Sequence, residues 1–475
     1  MIRFVTGRFN PGEFLSRREW LRIGGVAGIA GLCPPIVRRA AGQTTTPGFG
    51  QAKSVIIVYA NGGQSQFETW DPKPDAPQEI RGEFGSIPTS VPGTIIGEYL
   101  PRLAKIAHLY TIVRHMSHED LDHGSATYLA LTGRYHPQRS ANPAPRPSDF
   151  PTLGAVLSRL NTSSRAPYQA VHVNAPALVP VLPSPGQDGG FLGPDYEPLV
   201  IGDVSGGSVP LPGLTPPPEL PSVRLQARRS LLQEIDSYLR QVPGHSPLGD
   251  LDGQYRQAYE LLASTKYRAA FDLSAEPQAV RQRYGLHRSG QACLLARRLA
   301  EAEVPLITVV WNHSARGQDT RPDNLDECGW DTHNDIFAVM RNQLLPRFDQ
   351  SFSALLEDLD ARGLLDQTLV VCMGEFGRAP HVALEPRFAG ALPGRKHWAK
   401  AYSLVAAGAG VTRGAVLGGS DRMGAYPLST PIGPWDVTAT ILSALGIEPN
   451  SHYTDRLNQP YLASLGLPIT ELYRS

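Results

Sequence analysis

Two features of the chain predict an α/β fold with a mostly parallel central sheet. Short continuous apolar runs, rich in β-branched residues, recur at 54–60, 109–113, 170–173, 306–311, 368–373 and 402–407. Such runs read as strands buried on both faces. Helical apolar spacing fills several of the gaps, and strands alternating with helices imply a parallel sheet with helices on both sides.

The elements follow in order. Arg17 and Arg18 precede a modest apolar stretch from residue 23 to 32, and the small residues Ala40, Ala41 and Gly42 come after it. That is the pattern of a twin-arginine export signal, cleaved near Ala41 or Gly42. The apolar stretch is about ten residues, well short of the ~20 needed to span a bilayer. Residues 1–42 are therefore assigned to the signal, and 43–475 to one domain. The first strand ends in Asn61-Gly62-Gly63, a backbone-permissive turn. A helix is expected over 124–132. Residues 136–151 and 176–221 are rich in Pro and Gly and read as long loops. Polar amphipathic helices are expected over 222–285, so that a Pro-rich loop and a helical insertion together occupy about 176–285. Helices follow at 291–302, at 337–365 with a break near Pro346, and at 435–445 before Gly446.

Composition narrows the function classes. Lys+Arg and Asp+Glu are both 44 in 475 residues, so the chain carries no net charge that would favour nucleic acid. The four cysteines lie far apart and offer no metal-knuckle spacing. Gly (47) and Pro (43) are numerous, yet 41% of residues are hydrophobic, which points to many loops around a packed core.

In open parallel sheets, ligands gather at the carboxyl ends of the strands. The residues following the predicted strands include Asp122-His123-Gly124-Ser125, Asn312-His313, Trp330-Asp331-Thr332-His333 and Gly374-Glu375-Phe376-Gly377-Arg378. Gly394-Arg395-Lys396-His397-Trp398 immediately precedes another strand. Several separate loops thus bring imidazoles and carboxylates to one edge, a donor set suited to Zn²⁺ or, with more carboxylates, to Mn²⁺, Mg²⁺ or Ca²⁺. The start of the helix after His123 offers N–H groups to an anion. Arg378 reads either as the salt-bridge partner of Glu375 or as a bidentate anion clamp.

These blocks, with Asp71-Pro72-Lys73-Pro74-Asp75-Ala76-Pro77 and in this order, closely resemble domain-of-unknown-function family 1501. Its members are exported by the twin-arginine route, and it is placed in the alkaline-phosphatase and sulfatase superfamily. The resemblance implies a three-layer α/β/α sandwich and a divalent-metal ester hydrolase. Leu131-Thr132-Gly133-Arg134 resembles the Leu-Thr-Gly-Arg of sulfatases, and counting back puts the nucleophile position on His123. Formylglycine forms only from Cys or Ser, so ordinary sulfatase chemistry is not expected. His123 or Ser125 is the reacting group by this analogy. The superfamily's metal ligands fall on Asp331, His333, Glu375 and His397. Asn61 replaces an expected Asp, and Lys396 stands where the family more often has Asp. These departures imply one ion rather than two.

The expectation is an exported, periplasmic or secreted protein that engages the twin-arginine machinery and has no membrane span in its mature chain. It is expected to hydrolyse sulfate or phosphate esters, with an anionic ester or polysaccharide as ligand. The alternative is a non-catalytic glycan- or envelope-binding protein on the same fold.

Overall fold

The computed structural model describes residues 46–160, 166–179, 181–207, 209, 230–231, 260–261, 264–312, 314 and 328–474. The predicted signal segment, His313 and much of the predicted insertion, including most of its expected amphipathic helices, lie outside the described residues.

Ten strands build or support the site: β1 (Ser54–Tyr59), β2 (Tyr110–Met116), β3 (Ala170–Val173), β4 (Leu199–Ile201), β5 (Leu306–Val310), β6 (Thr368–Met373), β7 (Gly377–Arg378), β8 (His397–Trp398), β9 (Tyr402–Ala407) and β10 (Val416–Leu417). Eight of them form one sheet in the order β10-β2-β9-β6-β1-β5-β3-β4. Neighbours run parallel except where β9 pairs with β2 and β6.

The central strand shows why this sequence makes a layered fold. Side chains alternate across a strand. Ile56 and Val58 join one core with Leu295 and Leu299 of α3 (Arg288–Glu301) and Phe348 and Phe352 of α4 (Leu345–Ala361). Val55, Ile57 and Tyr59 join a second core. There they meet Leu131 of α1 (His123–Thr132), Val156 of α2 (Leu153–Leu160) and Ile441 of α5 (Pro434–Ala444). A continuous apolar run therefore satisfies two helical layers at once. Each fully buried Val or Ile stabilises the fold by about 1.5–3 kcal/mol. The fold is the expected α/β class with a mostly parallel sheet between helices.

Register aligns the strand ends. Tyr59 pairs with Val310 on one side and Met373 on the other. The residues that follow, Asn61-Gly62, Trp311-Asn312 and Gly374-Glu375, consequently share one edge.

Some boundaries differ from the sequence expectation. The strand expected over 109–113 continues to Met116, because Met116 still has Tyr402 as a partner. Arg114 is accommodated within it by donating to the carbonyls of Trp70 and Ile95. The helix expected over 337–365 comprises Ile336–Val339, a wider turn at Met340–Leu344, and α4. Pro346 has no N–H to give, and the wider turn absorbs the missing bond. The short strands β4, β7, β8 and β10 were not foreseen; two or three residues are too few to show an alternation.

Candidate metal centre

The centre of the site is one oxygen. Asp331 Oδ1 lies 3.2 Å from His123 Nε2, 3.1 Å from His333 Nε2, 3.2 Å from His397 Nε2 and 2.9 Å from Arg378 Nη2. The Nε2 atoms of His333 and His397 are themselves 2.9 Å apart. Among the described residues, His123, Asp331 and His397 form a group whose ligand atoms are close enough to share one ion.

Each donor arrives from a different part of the chain. His123 is the first residue of α1 and follows its N-cap, Asp122. Asp331 and His333 lie on the loop anchored by the buried Trp330, whose ring packs on Trp311 and Phe348. His397 and Arg378 are direct partners in the two-residue β7–β8 ladder, so one antiparallel pairing brings both to Asp331. Gly394 lets this segment press on the Asp331 loop, since a Cβ there would lie 2.4 Å from the His333 carbonyl oxygen.

A second layer fixes the imidazoles. Glu375 Oε1 accepts from His123 Nδ1 at 2.5 Å, leaving Nε2 to face Asp331. Glu375 also accepts from the Gly62 N–H (2.9 Å) and the Tyr59 hydroxyl (3.1 Å). His397 Nδ1 donates to the Leu121 carbonyl at 2.7 Å, so its Nε2 likewise points inward. A ring N–H tied to a carboxylate or carbonyl is the usual support of a metal-binding histidine. Phe388 stacks on His333 at 3.7 Å, the rings being 4° from parallel.

Electrostatics follow the same pattern. Burial alone would depress His123, but Asp331 and Glu375 outweigh it and raise its pKa to about 9. Burial would raise Asp331, yet His123 and Arg378 hold it well below the usual carboxylate range. Burial, then the nearby His123 charge, depress His397 to about 3. Burial also lowers His333. The lowered His397 and His333 favour the neutral form in which imidazole binds a metal, whereas His123, raised by two carboxylates, is protonated in the ion-free site and would release a proton to an ion.

Other residues singled out in the sequence are placed differently. Glu375 is fully buried and stands behind His123, its oxygens accepting from His123, Gly62 and Tyr59. Arg378 pairs with Asp331 and not with Glu375. The Ser125 hydroxyl donates to Asp120 at 2.6 Å and accepts from the Ala141 N–H at 3.2 Å, away from the Asp331 group. The expected anion site at the start of α1 is not available. Its N–H groups are taken by Asp122 Oδ1, Asn142 Oδ1 and the Ala141 carbonyl. Lys396 pairs with Glu385 at 2.7 Å.

The group opens into a cleft of about 440 Å³, bordered by Asp122, Asn142, Arg387, Phe388 and Lys396. The loop carrying Glu385 and Phe388 was not found by sequence reasoning. It is fastened by the two residues just after His333. Asn334 Nδ2 donates to the carbonyls of Glu385, Phe388 and Ala389, and Asp335 accepts from the Ala391 and Leu392 N–H groups. An Asn-Asp pair directly after an Asp-x-His motif was the available signal. Tyr59, the last residue of β1, was also missed.

Comparison with known proteins places this geometry in context. The family described as "Protein of unknown function (DUF1501)" matches residues 52–469. No curated protein matches the chain in sequence. Among solved structures, the chain is similar to Ps i-CgsB in complex with k-i-k-neocarrahexaose, with 11% identity, coverage of 83% of this chain and 72% of that one, and a TM-score of 0.38. It is similar to the PsFucS1 sulfatase from Pseudoalteromonas sp., with 13% identity, 90% and 72% coverage and a TM-score of 0.38. It is also similar to the alkaline phosphatase of the Antarctic bacterium TAB5, with 12% identity, 83% and 98% coverage and a TM-score of 0.34.

Proposed function

The chain belongs to the DUF1501 family, and on that premise we propose that it is an exported, metal-dependent hydrolase of sulfate or phosphate esters. One observation carries the reading: three imidazole nitrogens from three segments converge within 3.2 Å of a single carboxylate oxygen, Asp331 Oδ1. Nitrogen and carboxylate donors in that number suit Zn²⁺ best, with Mn²⁺ next. His123, Asp331 and His397 would hold the ion, with His333 beside them, and Glu375 would orient His123.

A divalent ion held there would supply Lewis-acid polarisation of an ester oxygen. The chain's own residues do the rest. Arg387 and Lys396 at the cleft rim share Glu385 as an ion-pair partner, so an anionic group there would compete with that carboxylate for them. Phe388 covers one face of His333 and limits water access to it. Water is the expected nucleophile, the cleft being bordered by imidazoles and carboxylates among the described residues. The same observation favours a second reading, a protein that binds anionic glycans in this cleft without turning them over.

The test uses the full chain purified from its exporting host. Metal analysis is expected to find bound ion, and p-nitrophenyl phosphate or sulfate is expected to be hydrolysed. His397→Ala should lose both. Ion without turnover would favour the binding reading; absence of both would end the hydrolase. Replacing Arg17 and Arg18 by Lys should retain the protein in the cytoplasm, measured by fractionation. Continued export would overturn the twin-arginine assignment.

A further inference from the structure

We propose that Arg378 is a built-in second cation, which restricts the centre to one divalent ion. This rests on reading the Asp331 group as a metal site. Two-ion hydrolases place their metals ~3.5–4 Å apart, with carboxylates between or beside them. Here the space next to Asp331 that a second ion would need is filled by a guanidinium. Arg378 is completely buried, and its Nη2 donates to Asp331 Oδ1 at 2.9 Å. Its Nε donates to the Gly63 carbonyl at 2.9 Å, its Nη1 to the Arg395 carbonyl at 3.3 Å, and its Nη2 also to the Gly62 carbonyl. One carboxylate and three carbonyls form an all-oxygen cage, the donor set of a hard cation.

The cage is built into the backbone. Gly62 and Gly63 turn at φ 114° and 73°, so both carbonyls face Arg378. A Cβ on Gly63 would lie 2.6 Å from the Phe376 ring and 3.2 Å from Arg378 Nη2. Gln66 grips the Arg378 main chain, accepting from its N–H and donating to its carbonyl, both at 2.9 Å. The guanidinium is thus held in place before any ligand arrives. It does not border the cleft, so it is not a clamp for an anionic substrate.

A fixed positive charge beside an ion-binding carboxylate weakens ion binding, so its removal should tighten it. The full chain, stripped with chelator, is titrated with Zn²⁺ or Mn²⁺ by calorimetry and assayed by elemental analysis. Wild type should take one ion. Arg378→Gln should bind at least tenfold more tightly or take a second ion, whereas Arg378→Lys should keep one ion. Two ions in wild type would overturn the proposal. So would a folded Arg378→Gln variant with unchanged or weaker binding, which would make Arg378 only a positioning residue for Asp331. Should the Gln variant not fold, the Lys variant decides: one ion supports the proposal, and two or none overturns it. A wild type that binds no ion ends the metal reading as well, whereas one ion with an unresponsive Gln variant ends only the role of Arg378.

Discussion

Among the described residues, the buried charges around Arg297 and those around Asp331 are built on opposite plans. Around Arg297, one fully buried guanidinium lies 2.7 Å from Glu276, 2.8 Å from Glu301 and 3.0 Å from Asp358. Asp358 also accepts from Tyr284 and Arg362, and Arg298 reaches Glu276. Acids and bases alternate there, and every acid has a base. Around Asp331, three imidazoles and a guanidinium crowd one oxygen, and two imidazole nitrogens face each other at 2.9 Å. The first arrangement alternates charge, whereas the second turns three imidazole Nε2 atoms and a guanidinium toward one carboxylate oxygen, with Glu375 behind His123. On the proposed reading, nitrogen atoms gathered on one carboxylate beside a cleft mark a ligand site, and a balanced network marks a structural one.

The comparison breaks if the two clusters respond alike to substitution. The largest effect is expected at the balanced one. Arg297→Ala should cost about 3 kcal/mol, near the low end for breaking a buried ion pair, because Arg298 and Arg362 stay beside the stranded acids. Denaturant unfolding measures this, and ion content should be unchanged. An equal loss of bound ion would erase the distinction between the clusters.

At the other cluster the signs reverse. Asp331→Asn keeps shape but removes the shared charge, and ion affinity should fall on the order of a hundredfold or more, read by calorimetric titration. Glu375→Gln should cost roughly 10–100-fold, the range found for partners that orient a ligating histidine. Should Glu375→Gln weaken binding more than Asp331→Asn, Glu375 would be a ligand, as the sequence resemblance implied, and not the support of His123.

Legibility in the sequence followed the same divide. Continuous runs such as Val55-Ile56-Ile57-Val58 announced the buried parallel strands because apolar periodicity is a local property. Asp331, His333 and His397 were reached through motif order and strand ends, and the structure brings them together at Asp331 Oδ1. What escaped was pairing over long separations. Glu375 and His123 lie 252 residues apart and nothing local says which oxygen meets which nitrogen. The β7–β8 ladder that sets Arg378 beside His397 is two residues long on each side and leaves no periodic trace. Ser125 looked available because sequence cannot show that Asp120, five residues earlier, already accepts its hydroxyl.

The smallest expected effect sharpens the account of the balanced cluster through pH. Burial would raise Glu276 and Asp358, but the arginines outweigh it and hold both below their ordinary values of 4.5 and 3.8. A carboxyl depressed on folding stabilises the fold above its unfolded pKa, and that contribution disappears as pH falls through the folded value. Stability from this cluster should therefore be constant from neutrality down to about pH 5 and decline below about pH 4.5. Other carboxyls titrate in the same window, so the informative quantity is a difference. The unfolding midpoint of wild type minus that of Glu276→Gln should be constant above pH 5 and shrink between pH 4.5 and 3. A difference that widened on acidification would mean that Glu276 is protonated more readily folded than unfolded, and that the arginines fail to outweigh its burial.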